Sequence, residues 1–188
     1  MPSTTYYWRI DANNPLGKTT GDVWNFTTVQ WTQLTFDNFE AGNFGNYTDG
    51  GANCLLYNGT THSHQGNYAV DIQSTGDPSA SFYHTNGFDV HTPGYTQIKV
   101  DFWYKVVDLE PNEKFYVEYY NGSSWQIVAT FTAGTDFPAD ATTSFYNPII
   151  YINEGTYNFP TNMKIKFRCA ASSATDDVYI DDITISAK

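Results

Sequence analysis

The sequence predicts an all-β fold, a β-sandwich of two antiparallel sheets with an N-terminal β-hairpin extension. Three observations predict it. Short apolar runs alternate with polar residues at a period of two, clusters of turn-forming residues separate them, and no stretch has the 3.6-residue periodicity of a helix. Composition agrees: 15 Tyr, 13 Phe and 5 Trp raise the aromatic share to 18%, while only 15% of residues are charged.

The elements follow in order. Residues 1–28 stand apart as two strand-like runs, TTYYWRIDANN and GDVWNFTT, joined by the turn-rich NPLGKTTG. A lone hairpin is marginal in water, so this segment is expected to pack on a neighbour, pair with another molecule or be loosely ordered. Residues 29–188 read as one sandwich. Nine runs qualify as strands: QLTFDNFE, NYAVDIQS, SASFYHT, QIKVDFWYKVV, KFYVEYY, SWQIVATF, NPIIYIN, MKIKFRCA and DVYIDDITIS. Turn signals TDGG, STGDP, HTPG, LEPNE, NGSS and FPTN divide them.

Charge and cysteine content exclude several classes. A net charge of −11 is unsuited to nucleic acid, whose phosphates require Lys and Arg. No run approaches the ~18 apolar residues of a membrane helix. The opening residues lack the basic start and apolar run of an export leader, so a secreted parent is expected to carry its leader upstream. The two cysteines, Cys54 and Cys169, lack zinc-site spacing. In an extracellular chain they are expected to form a disulfide, which stabilises by about 4–5 kcal/mol for so long a loop; two buried thiols are the alternative.

Strand alternation organises the nine Lys and Arg residues. In QIKVDFWYKVV, Lys99, Trp103 and Lys105 face away from Ile98, Val100 and Phe102. In KFYVEYY, Lys114, Tyr116 and Tyr120 oppose Phe115, Val117 and Tyr119. In MKIKFRC, Lys164, Lys166 and Arg168 oppose Ile165, Phe167 and Cys169. Six cations and three rings therefore point outward. On one sheet they would form a face where rings stack on sugars and cations hold sulfate or carboxylate. Trp103, Lys105, Tyr116, Tyr120, Lys164, Lys166 and Arg168 are the expected carbohydrate-binding set. Loop tips offer an alternative site through Tyr57, His62, His64, Tyr83 and His84, of which His84 joins the set. Tyr157 and Phe159 are expected to be lids over the core, and Trp125, alternating with Ile127 and Ala129, to pack.

Two resemblances sharpen this reading. TTYYWRI with W-N-FTT resembles the last two strands of a fibronectin type III-like domain, which implies a multidomain parent. FDNFEAGNFGNYTDGGANC, HQGNYAVDI, FWYKV and VYIDDITI resemble jelly-roll carbohydrate-binding modules and accessory domains of marine bacterial enzymes, over roughly residues 34–188. That resemblance implies a secreted, non-catalytic module attached to a catalytic domain. With the acidic composition it points to an algal polysaccharide such as carrageenan, agar, porphyran or fucan, and the outward cations would suit a sulfated one. It further implies a structural calcium at Glu40, Asp181 and Asp182, with Asp71 and Asp37 as weaker ligands. Asp182 continues the inward phase of Val178 and Ile180 unless a bulge intervenes, and an inward carboxylate needs a partner or a metal. Asp176 and Asp177 are expected in a solvated turn. The competing functions are an adhesion or spacer module that binds protein, and a small jelly-roll polysaccharide lyase using Tyr, His or Arg.

Overall fold

The computed structural model describes residues 3–140 and 143–188. It divides into two compact units between Thr32 and Gln33, four residues later than the change in sequence pattern. In the first unit, β1 (Thr5–Trp8) pairs antiparallel with β4 (Trp24–Thr27), and β2 (Ala12–Asn14) pairs with β3 (Gly17–Thr19). Tyr6 stacks on Phe26 at 5.2 Å and Trp8 on Trp24 at 6.3 Å. All four rings are about half exposed, so the ribbon has cross-strand pairs and no core.

The second unit holds β5 (Thr32–Asp37), β6 (Tyr47–Asp49), β7 (Cys54–Asn58), β8 (Tyr68–Gln73), β9 (Ser81–His84), β10 (Gln97–Val107), β11 (Lys114–Tyr120), β12 (Trp125–Thr132), β13 (Ile149–Asn153), β14 (Lys164–Ala170) and β15 (Asp177–Ala187). Sheet one runs β13-β10-β15-β8-β7, with β5 also paired to β15; sheet two runs β12-β11-β14-β9-β6. Neighbouring strands of both sheets pair antiparallel, β10 with β13 and β15, β8 with β15 and β7, β11 with β12 and β14, and β9 with β14 and β6. Among the described residues no helix is long and apolar enough to cross a membrane.

The nine predicted runs are β5 and β8 to β15. Unforeseen are β3, which lies within the expected turn NPLGKTTG, β6, only three residues long, and β7, whose CLLYN lies between the turn clusters GGAN and NGTT. Such short strands carry too few periods to stand out from turns.

The core lies between the sheets. Phe102 and Val100 of β10 and Ile180 of β15 meet Phe115 and Val117 of β11, Phe167 of β14 and Phe82 of β9, all fully buried. Phe167 sits 5.1 Å from Phe82 and 4.9 Å from Phe102. Burying each large apolar side chain contributes roughly 1.5–3 kcal/mol.

Two irregularities reset the alternation. In β15 the register slips opposite Asp101–Trp103, and Asp182 adopts φ +47°. Asp182 is thereby turned out of the inward phase, and Ile183 and Ile185 take it over. In β12 the register slips between Val117 and Glu118 of its partner, so Ala129 pairs with Val117 but Ile127 pairs with Glu118. Phe131 and Ala129 pack on the core, whereas Ile127 is about half exposed and Trp125 takes the outer phase.

The expected disulfide does not form. Cys54 of β7 in sheet one and Cys169 of β14 in sheet two are both free and buried. Each thiol fills core space, and Cys169 Sγ lies 4.0 Å from the Asp176 carbonyl. Burial pushes the Cys169 thiol up to about 12 and Cys54 further.

Candidate functional site

The outer face of sheet two carries a cleft of about 480 Å³, within the range of ~300–1,000 Å³ usual for ligand sites. Its register explains it. β11 and β14 oppose Tyr116 to Arg168, Glu118 to Lys166, and Tyr120 to Lys164. β12 adds Trp125 opposite Tyr120, and β9 adds Tyr83 opposite Lys166. Trp125 meets Tyr120 at 5.3 Å and Tyr83 at 6.2 Å, with the rings tilted 52° and 65° to one another. Three rings thus line one concavity, with Lys164, Lys166 and the Asp77–Pro78 rim.

Beneath them lies an ion network. Lys166, 3% exposed, has its Nζ 2.6 Å from Glu118 Oε2 and 3.0 Å from Asp77 Oδ2. Arg168 reaches Glu118 Oε1 at 2.7 Å. Each cation also lies over a ring: Lys166 is 4.7 Å from the Trp125 centroid and Arg168 is 4.5 Å from that of Tyr116. One buried carboxylate therefore fixes two cations, and these hold two rings. Lys164 donates to the Thr85 carbonyl at 2.8 Å.

The structure brings Tyr116, Tyr120, Lys164, Lys166 and Arg168 onto one face. Trp103 and Lys105 are not there, because β10 belongs to sheet one, on the other side of the sandwich. The expected single platform is therefore split. Trp103 does point outward, but His64 stacks on it at 3.7 Å, 8° from parallel. Lys105 is 7% exposed and donates to the Thr61 carbonyl at 2.8 Å. A loop between β7 and β8 roofs this part of sheet one, with His62 stacked on Tyr179 at 4.3 Å.

His84 is a further correction. It shares the inward phase of Phe82, is fully buried, and stacks on Tyr47 at 4.3 Å. Its Nδ1 accepts the Ile165 N–H at 3.0 Å, and burial drives its pKa down to about 3. Two cleft rings escaped the expected binding set. Tyr83 lies within β9 rather than at a loop tip, and Trp125, inward by unbroken alternation with Ile127 and Ala129, is turned outward by the bulge in β12. The NGSS turn before Trp125 was the only local signal. Phe159 is buried and Tyr157 partly so, against Tyr119 of the core.

No family model and no curated protein matches this chain. Solved structures do. The module TmCBM61, solved with β-1,4-galactotriose, shares 20% identity over 81% of this chain and 95% of its own, with a TM-score of 0.54. The xylan-binding CBM22-1 domain of Paenibacillus barcinonensis Xyn10C shares 10% identity over 83% of this chain and 94% of its own, with a TM-score of 0.57. The sandwich has the fold of carbohydrate-binding modules. The same fold serves the K3 adhesin domain of Lys-gingipain from Porphyromonas gingivalis, at 11% identity over 84% of this chain and 99% of that one, with a TM-score of 0.51. Fold alone therefore does not select a ligand.

Of the carboxylates expected to bind calcium, Asp181 and Asp182 share a partner, His64. Glu40 Oε1 accepts the N–H groups of Asn67 and Tyr68 at 2.9 and 2.8 Å. Asp181 Oδ2 accepts the His64 N–H at 2.8 Å, and Asp182 Oδ2 lies 2.7 Å from His64 Nδ1. Asp71 is buried opposite Tyr179 with Oδ1 unpartnered. Asp37 is held by Thr35 and Asn46. Among the described residues the acidic group that does converge is Glu110, Glu113 and Asp176, within 4.8 Å. Asp176 is not solvated as expected: it is 1% exposed and accepts the Ser172 N–H at 3.0 Å.

Proposed function

We propose that this protein is a non-catalytic carbohydrate-binding module whose polysaccharide lies along the cleft on sheet two. The observation that carries the proposal is the convergence of Tyr83, Tyr120 and Trp125 on one concave face above a fixed set of charged hydrogen-bonding groups. Rings supply the apolar contact that a pyranose face needs, and the charged groups meet its hydroxyls. The test is migration through gels loaded with individual polysaccharides. Retardation that is lost in Trp125→Ala supports the cleft; equal retardation of the variant rejects it.

We read the cleft as binding without cleavage. No histidine is in its lining and the nearby Arg168 is engaged by Glu118, so of the Tyr, His and Arg that a lyase would use the lining offers Tyr83 and Tyr120. The finer context remains as the sequence suggests it: an extracellular parent enzyme, with the module raising local substrate concentration for its catalytic domain, and an algal polysaccharide as target. Of the six outward cations, Lys114, Lys164, Lys166 and Arg168 stay together on β11 and β14 of sheet two, while Lys99 and Lys105 lie on β10 of sheet one.

Calcium is retained as a proposal at Glu40 and Asp181, which hold successive parts of one loop, residues 64–68. They hold it through N–H groups, so a bound ion would require that loop to present carbonyl oxygens instead. Added calcium is expected to raise Tm, and Glu40→Gln to remove the effect. The same Tm with calcium and with chelator would reject the site.

A further inference from the structure

We infer that the cleft selects neutral polysaccharide and discriminates against sulfated and carboxylated chains, an inference that rests on the cleft being the sugar site proposed above. A count of outward Lys and Arg suggests an anion site; their partners in the fold point the other way. Lys166 is 3% exposed and shared between Glu118 at 2.6 Å and Asp77 at 3.0 Å. Arg168 is bound to the other Glu118 oxygen at 2.7 Å and lies over Tyr116. The carboxylates of Glu118 and Asp77 are matched to Lys166 and Arg168, and the third cation, Lys164, gives one of its N–H groups to the Thr85 carbonyl.

A sulfate drawing on the charge of Lys166 or Arg168 would compete for it with Glu118. That carboxylate is 4% exposed, and losing a partner would leave a buried charge uncompensated. Asp77, about half exposed at the rim, presents its own negative charge to any anion that approaches. The chain's net charge of −11 adds longer-range repulsion at low salt. Sugar hydroxyls meet none of these penalties. A paired carboxylate keeps lone pairs that accept an O–H, and a paired ammonium or guanidinium keeps further N–H donors. Hydrogen bonds to such ionised groups are stronger than neutral ones. The ion network thus suits uncharged, hydroxyl-rich chains.

The test compares matched ligands in affinity gels: κ-carrageenan against the same polymer after chemical desulfation, together with neutral xylan, β-1,4-galactan and β-glucan. Retardation by at least one neutral polymer is expected, with the sulfated parent weaker than its desulfated form by about fivefold or more at low salt. Stronger retardation by the sulfated parent, fading as salt rises, would overturn the selection while leaving the sugar site intact. Failure of every polymer to retard the protein would overturn the sugar site and this inference together. Asp77→Asn should narrow the gap between the paired polymers, and Asp77→Glu should restore it; a gap unchanged in Asp77→Asn would show that carboxylates in the cleft do not select.

Discussion

Trp125 and Tyr120 are register partners across the β11–β12 pair, and their rings meet at 5.3 Å with 52° between the planes. Trp125 reaches this place only because the β12 bulge reverses its phase. Trp103, the outward Trp legible from the sequence, is instead covered by His64 on the other sheet. The two tryptophans are therefore expected to separate function from stability. Trp125→Ala should weaken polysaccharide retardation about tenfold, the loss of a 1–2 kcal/mol contact, with little change in Tm. Trp103→Ala should leave retardation intact and lower Tm by several degrees.

The Glu118–Lys166 pair should behave as a buried ion pair. Both side chains are nearly inaccessible, at 6% and 3%. Removing one partner typically costs about 3–5 kcal/mol because the other stays charged in the interior. Lys166→Met and Glu118→Gln are each expected to lower the urea midpoint substantially. The double variant should recover part of the loss, which a double-mutant cycle measures.

Acid sensitivity should trace in part to His84. Burial holds its imidazole down to about 3 in the folded protein, with Lys164 adding a smaller push; in the unfolded chain it titrates near ~6.5. Between those values the unfolded state binds the extra proton. The stabilisation from neutral His84 is complete above about pH 6.5 and is lost as pH falls towards 3, by up to about 1.4 kcal/mol per pH unit. His84→Gln keeps an acceptor for the Ile165 N–H but cannot titrate. It should be less stable at pH 7 yet show a flatter dependence between pH 6.5 and 4 in urea unfolding.

Thiol chemistry checks the correction at Cys54 and Cys169. Reactivity follows the thiolate, and burial suppresses it at both positions. At pH 8 the native protein should react negligibly with a disulfide reagent, whereas the urea-unfolded, unreduced protein should release two thiols per chain. Reductant should leave Tm unchanged. A chain with no titratable thiol after unfolding would show that a bridge exists.

Strand identity and facing were legible wherever alternation ran unbroken. β10, β11 and β14 have the predicted inward and outward sets residue for residue, because a pleated strand must place alternate side chains on opposite faces. Legibility ended at the bulges of β12 and β15, where one extra residue inverts everything beyond it. It ended also at His84, which closes β9 in the inward phase of Phe82 although its neighbours in sequence, TNG, read as a loop.

The amino-acid sequence by itself determined that this chain forms an antiparallel sandwich, and it determined which side of each regular strand meets the core, since both follow from local periodicity and turn chemistry. Tertiary structure decided which strands became neighbours. It placed β10 in one sheet and β11 and β14 in the other, parted Trp103 from Arg168, seated Trp125 beside Tyr120, and matched Lys166 with Glu118. Sheet assignment depends on pairing between residues far apart in the chain, and no local pattern encodes which distant strand supplies the partner.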